Sequence, residues 1–193
     1  MLKKTPMKKK LLFFILVINF LSAQQTEVDS IISKEVKHLK ENGIDRFFFL
    51  QKFCVGCEEI VTANKVECEL KYYQLYLFWQ ENNKSYFRKI EKCNSKKIKI
   101  SDNFINKFYI QNVDIIKNEN VKEYQTGKDE YIMVDHSSFS IFYFLIDGKL
   151  ITKQIDYFNL ECQEVPNINY EYNNSLKLVK LNAECSKIMR KNE

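Results

Sequence analysis

Glycine is scarce in this chain, and the four that occur, Gly43, Gly56, Gly127 and Gly148, are scattered. None lies close enough to another to build a glycine-rich loop that turns successive backbone amides onto a phosphate, which excludes nucleotide binding of that kind. Proline is scarcer still, at Pro6 and Pro166. No Pro- or Ser-rich linker, low-complexity tract or internal repeat divides the sequence. Long apolar runs are also missing. The longest, residues 11–21, has 11 residues, short of the ~20 that a helix needs to cross a bilayer core. Excess positive charge is absent once the N-terminus is set aside. The chain has 30 Lys+Arg and 25 Asp+Glu, but the first 23 residues hold five lysines and no acid. The remainder is therefore neutral, which argues against nucleic-acid binding, because phosphates demand a net or clustered positive field.

Those first residues have the form of an export signal. Lys3, Lys4, Lys8, Lys9 and Lys10 make a basic start, LLFFILVINFL an apolar centre, and Ser22-Ala23 the small residues before a cut. Met7 opens a compact signal by itself, so residues 1–6 are read as either an upstream mis-start or a dispensable extension. Gln24 follows the expected cut, where a lipid-modified exported protein would carry cysteine. Residues 1–23 are thus expected to be a cleaved signal peptide. The product is expected to be soluble, periplasmic or extracellular, with no stable membrane anchor after cleavage.

The remaining 170 residues (24–193) have the size of a single domain that buries roughly 70% of its unfolded surface. All six cysteines lie there: Cys54, Cys57, Cys68, Cys93, Cys162 and Cys185. An even number behind an export signal makes all six disulfide candidates, since the compartment is oxidising. Sequence does not choose the pairing. The expectation adopted is Cys162–Cys185 clamping the last helix, Cys68–Cys93 bracketing a central hairpin, and Cys54–Cys57 closing locally.

Periodicity sets the fold class. Val28, Ile31, Ile32, Val36 and Leu39 follow helical spacing, with Gly43 as the stop. A β-type run over residues 46–53 leads into Cys54. From Val66 the apolar period is two; the strand continues through residues 75–79 to a polar turn at 81–84 and returns over 85–93. Ser101 is placed to cap a helix over 102–117 whose Ile105, Phe108, Tyr109, Val113 and Ile116 face inward. Residues 131–134 are read as a strand. Residues 138–146 and 149–157 flank Asp147-Gly148, a pair that accepts the positive φ of a type I′ turn. Ser175 is placed to cap a helix over 176–190 with Leu178, Leu181, Cys185 and Ile188 on one face. Hairpins of strands, not strands alternating with helices, predict an α+β domain. It should hold an antiparallel sheet of about five to seven strands, with N-terminal, central and C-terminal helices.

Few residues suggest chemistry. Cys54-Val55-Gly56-Cys57 follows a strand that itself follows a helix. In that local order it resembles thioredoxin-like oxidoreductases, in which a helix N-terminus lowers the pKa of the attacking thiolate. The resemblance implies Cys54 as attacking and Cys57 as resolving thiol, with Val165-Pro166 as the family's cis-proline dipeptide. Downstream the sequence departs, turning to strand periodicity by Val66. A zinc set of Cys54, Cys57, Cys68 and Cys93 has one C-x2-C pair but no second, and neither metal nor cofactor is expected. Asp135-His136-Ser137-Ser138 contains the triad residue types, but neighbours on an extended segment point to opposite faces, which argues against a triad. His38 falls on the polar side of the first helix. The basic cluster Lys84, Arg88, Lys89, Lys92, Lys96, Lys97 and Lys99 reads as the solvated face of a hairpin. The aromatic stretches read as sheet core, with a partly covered second sheet face as the place for a binding surface. The functional expectation is a non-enzymatic, disulfide-stabilised exported protein that binds another protein or an envelope component. The alternative is thiol–disulfide exchange at Cys54 and Cys57.

Overall fold

The computed structural model describes residues 27–57, 70, 73–93 and 95–192. The expected signal peptide and, in the strand expected from Val66, residues 66–69 (Cys68 among them), 71 and 72 lie outside the described residues; Leu70 and Tyr73 are not in a strand. The chain divides after Asp45 into two compact units.

In the first unit, helix α1 covers residues 27–41. Val28, Ile32 and Leu39 form its buried side and His38 is exposed. Gly43 takes φ +69°, and the amide of Ile44 donates to the Leu39 carbonyl at 2.9 Å. The left-handed glycine lets the chain turn back and satisfy a carbonyl of the last turn.

The second unit, Arg46–Glu193, is built on β1 (Phe47–Val55), β2 (Gln74–Glu81), β3 (Lys84–Ile90), β4 (Ile98–Lys99), β7 (Ser137–Ile146) and β8 (Lys149–Asp156). They form one six-stranded sheet in the order β4-β3-β2-β1-β7-β8, antiparallel throughout. A separate two-stranded ribbon joins β5 (Gln125–Gly127) and β6 (Glu130–Tyr131). The architecture is α+β, as the hairpin pattern predicts. Both tight turns use residues that tolerate positive φ: Asn82 and Asn83 at 49° and 59°, and Asp147 and Gly148 at 52° and 75°.

Alternation sorts the strand residues onto two faces. On one face Phe48, Leu50, Tyr76, Phe78, Phe142 and Phe144 join Ile105, Leu178, Leu181 and Cys185 in the main core. Phe78 stacks on Phe48 at 5.0 Å, and Phe142 on Phe144 at 5.5 Å. On the other face Phe47, Phe49, Leu75, Leu77, Trp79 and Tyr143 are also buried. The aromatics therefore behave as core on both faces.

The central helix differs from expectation. Instead of one helix there is α2 (Phe104–Phe108), a 3-10 turn (Ile110–Asn112) and α3 (Val113–Asn118). The break falls where Tyr109 is pinned between Phe48, at 5.3 Å, and Phe144, at 5.1 Å, and where Asn112 leaves helical geometry at φ −122°, ψ 4°. Ser101 does not cap α2. Buried Ser85, on β3, does so, its hydroxyl accepting from the Ile105 amide at 3.2 Å and donating to the Asp102 carbonyl at 3.1 Å. Ser175 likewise ends α4 (Tyr170–Ser175) and does not open α5 (Lys177–Asn192). The first α5 amides, Lys177 and Leu178, donate to the two carboxylate oxygens of Glu119, each at 2.9 Å. Of the strand expected at 131–134, only its first residue is in β6, in the small ribbon.

Candidate functional site

The register of β1 builds an open end into the sheet. Its pairing with β2 stops at Lys52↔Gln74, while its pairing with β7 continues through Lys52↔Ser140 and Cys54↔Ser138 to Val55↔Ser137. Lys52, at the last described pairing with β2, and Cys54, beyond it, emerge on the core face, where β7 offers serines instead of aromatics. On the opposite face Phe53 stacks on Phe139 at 5.1 Å.

A cleft of about 640 Å³ occupies this end. Its lining includes Lys52, Cys54, Ser138 and Tyr157, with Ser186, Met189 and Arg190 from the last turns of α5. Tyr157 is its most connected side chain. The phenol oxygen receives a hydrogen bond from Asn182 Nδ2 at 2.7 Å and lies 3.1 Å from the Ser140 hydroxyl. Lys52 Nζ sits 5.7 Å from the Tyr157 ring centroid and donates to Ser186 Oγ at 3.4 Å. Burial pushes the phenol pKa up, but Ser140, Asn182, the Lys52 charge and Ser186 together hold it below the ordinary value of 10.0.

Cys54 also borders a second, smaller cleft of about 340 Å³, shared with Cys57, His136 and Ser137. Cys54 and Cys57 form a disulfide, with Cα atoms 5.6 Å apart. Gly56 makes that short loop possible at φ +73°, and a Cβ there would overlap the His136 ring. His136 Nδ1 is 2.7 Å from Asp135 Oδ1, and this hydrogen bond is the main reason the Asp135 carboxyl titrates below its usual range. Two neighbours in sequence thus do hydrogen-bond, but no triad results. The Ser137 hydroxyl donates to Asp156, which also accepts from the Phe158 amide at 3.0 Å.

The cysteine pairing needs one correction. Cys162 and Cys185 are free thiols and do not clamp the last helix. Cys162 is exposed beyond the 3-10 turn Tyr157–Leu160, whereas Cys185 is fully buried on the inward face of α5. Burial raises the Cys185 thiol pKa well above 9.0. Cys93 is disulfide-bonded, and Cys68, its expected partner, lies outside the described residues. Cys54 lies inside the antiparallel strand β1, and the residues that follow Cys57 lie outside the described residues. Among the described residues no three His, Cys, Asp or Glu side chains are grouped to hold a metal, and no helix is long and apolar enough to cross a membrane. In the basic hairpin, Lys89, Lys97 and Lys99 form ion pairs with Glu91, Glu81 and Asp102.

No family model, no curated protein and no solved structure matches this chain.

The sequence did not point to the cleft as a site. The signal available was the run Ser137, Ser138 and Ser140, which interrupts an otherwise apolar strand opposite Lys52 and Cys54.

Proposed function

We propose that this is an exported, soluble, disulfide-stabilised protein that acts by binding and not by catalysis, and that the cleft at the open end of β1 receives its ligand. The observation that supports the reading is the cleft itself. Its volume of about 640 Å³ falls within the ~300–1,000 Å³ of small-molecule and peptide-side-chain sites. Its lining combines Phe53, Tyr76, Phe139 and Met189 with a few placed polar groups, the mixture by which binding pockets fix a ligand's orientation. The ligand is an envelope component or a segment of another protein. The cleft replaces the aromatic sheet face as the binding surface, because most aromatic side chains of both faces are buried, Phe53, Tyr86 and Phe139 being half-buried.

One observation favours a second reading, thiol–disulfide exchange. The Cys54–Cys57 disulfide stands beside the His136–Asp135 pair, with Cys57 exposed and Cys54 half-buried. An incoming thiolate would attack Cys54 Sγ and break the disulfide, releasing Cys57 as a thiolate that takes up a proton. A second substrate thiol would then displace Cys54. Two thiols would leave as one disulfide and the protein as a dithiol.

Mass mapping of the protein purified from its export compartment, without reductant and then under graded reduction, separates these readings. The binding account expects an N-terminus at Gln24 and a Cys54–Cys57 bond that survives mild reductant. Selective, easy reduction of that bond would establish the exchange reading in its place. An intact 1–23 segment would contradict export as a soluble protein.

A further inference from the structure

The charges in the cleft are of one sign. Lys52 and Arg190 are the only charged residues in its described lining. Among the described residues no carboxylate lies within ion-pair distance of either. Arg190 by itself has an ordinary explanation. It lies in the last turn of α5, where a cation offsets the helix dipole, and its Nε donates to the Ser186 carbonyl at 3.3 Å. Lys52 has no such explanation. It is half-buried on a strand, and its described partners are neutral, the Ser186 hydroxyl and the Tyr157 ring. A cation drawn partly out of water is ordinarily matched by an anion. Two further groups register its field: the Lys52 charge lowers the proton affinity of both the Tyr157 phenol and the Cys185 thiol.

The apolar side of the cleft argues against a small inorganic anion. Tyr76 and Met189 on the core face, with the strand edges at Phe53 and Phe139, supply surface that a bare ion would leave wet. On these grounds, and resting on the cleft reading above, we infer that the ligand is an amphipathic anion. Its anionic head lies against Lys52 and Arg190, and its aromatic or aliphatic body lies against the apolar wall.

The test uses a matched pair of probes, naphthoate and the isosteric neutral naphthamide, titrated into the purified disulfide-intact protein at low ionic strength. The expected result is that naphthoate binds about tenfold or more tightly than naphthamide. Lys52→Met should weaken naphthoate by about tenfold, the scale of one charge-assisted hydrogen bond, and leave naphthamide unchanged. Arg190→Gln, a change at an exposed site that spares the fold, should weaken naphthoate alone, by a smaller factor. Equal affinity for the two probes, or naphthoate binding indifferent to both substitutions, would overturn the anionic assignment and leave the cleft reading standing. If neither probe binds the folded wild-type protein, the cleft reading fails and the inference falls with it.

Discussion

Gly56 cannot be enlarged without moving His136. Its φ of +73° is strained for any side chain, and an added Cβ would overlap the imidazole. Gly56→Ala should therefore destabilise the protein by at least ~1 kcal/mol in chemical denaturation. Tyr157→Phe removes the partner of a buried donor on Asn182, which is only 3% exposed, and should cost about 1–2 kcal/mol. Unchanged denaturation midpoints would show that the hydrogen bonds around the cleft are not formed in solution. At this scale the sequence was only partly legible. Cys54 and Cys57 stand out by spacing alone, but the approach of His136 depends on β1 pairing with β7 across much of the chain. The same holds for Lys52, an unremarkable lysine until the register sets it opposite Ser140 and Gln74.

Among the elements, hairpins and helix periodicity were readable because their causes are local. Asp147-Gly148 fixes its turn through positive φ, and Leu178, Leu181 and Cys185 share a face of α5 by spacing alone. Helix boundaries were not readable where a distant side chain decides them. Ser85 caps α2 from β3, and Glu119 caps α5 from beyond α3. Glu119→Ala should cost roughly 1 kcal/mol and speed amide exchange in the first turn of α5. If exchange there is unchanged, the cap is not in place. The break at Tyr109 carries its own pH signature. Burial pushes this phenol from 10.0 up to about 12, so the unfolded chain ionises first. Its contribution to stability is complete below pH 10 and lost as pH rises toward about 12. Tyr109→Phe should flatten the fall in stability measured across that window.

At the scale of the molecule, the two free thiols occupy different environments. The Cys54–Cys57 bond closes a surface loop, Cys162 is an exposed thiol, and Cys185 is an inert thiol inside the core. Alkylation of the native, unreduced protein should modify Cys162 and spare Cys185 until the chain is denatured. Recovery of a Cys162–Cys185 bridge would contradict that arrangement. A disulfide at the surface is compatible with the oxidising compartment that the N-terminal sequence implies. The composition argument for six paired cysteines was too coarse, because it counts residues without weighing burial.

The claim that the open end of β1 is the working site is tested most directly by mapping backbone amide shifts of isotope-labelled protein during titration with naphthoate. The account predicts that the perturbed amides gather at Lys52–Cys54, at Ser138–Ser140 and at Ser186–Arg190, and that Ser138→Trp, which fills the cleft, abolishes them. Shifts scattered over the surface, or gathered elsewhere and untouched by that substitution, would contradict it.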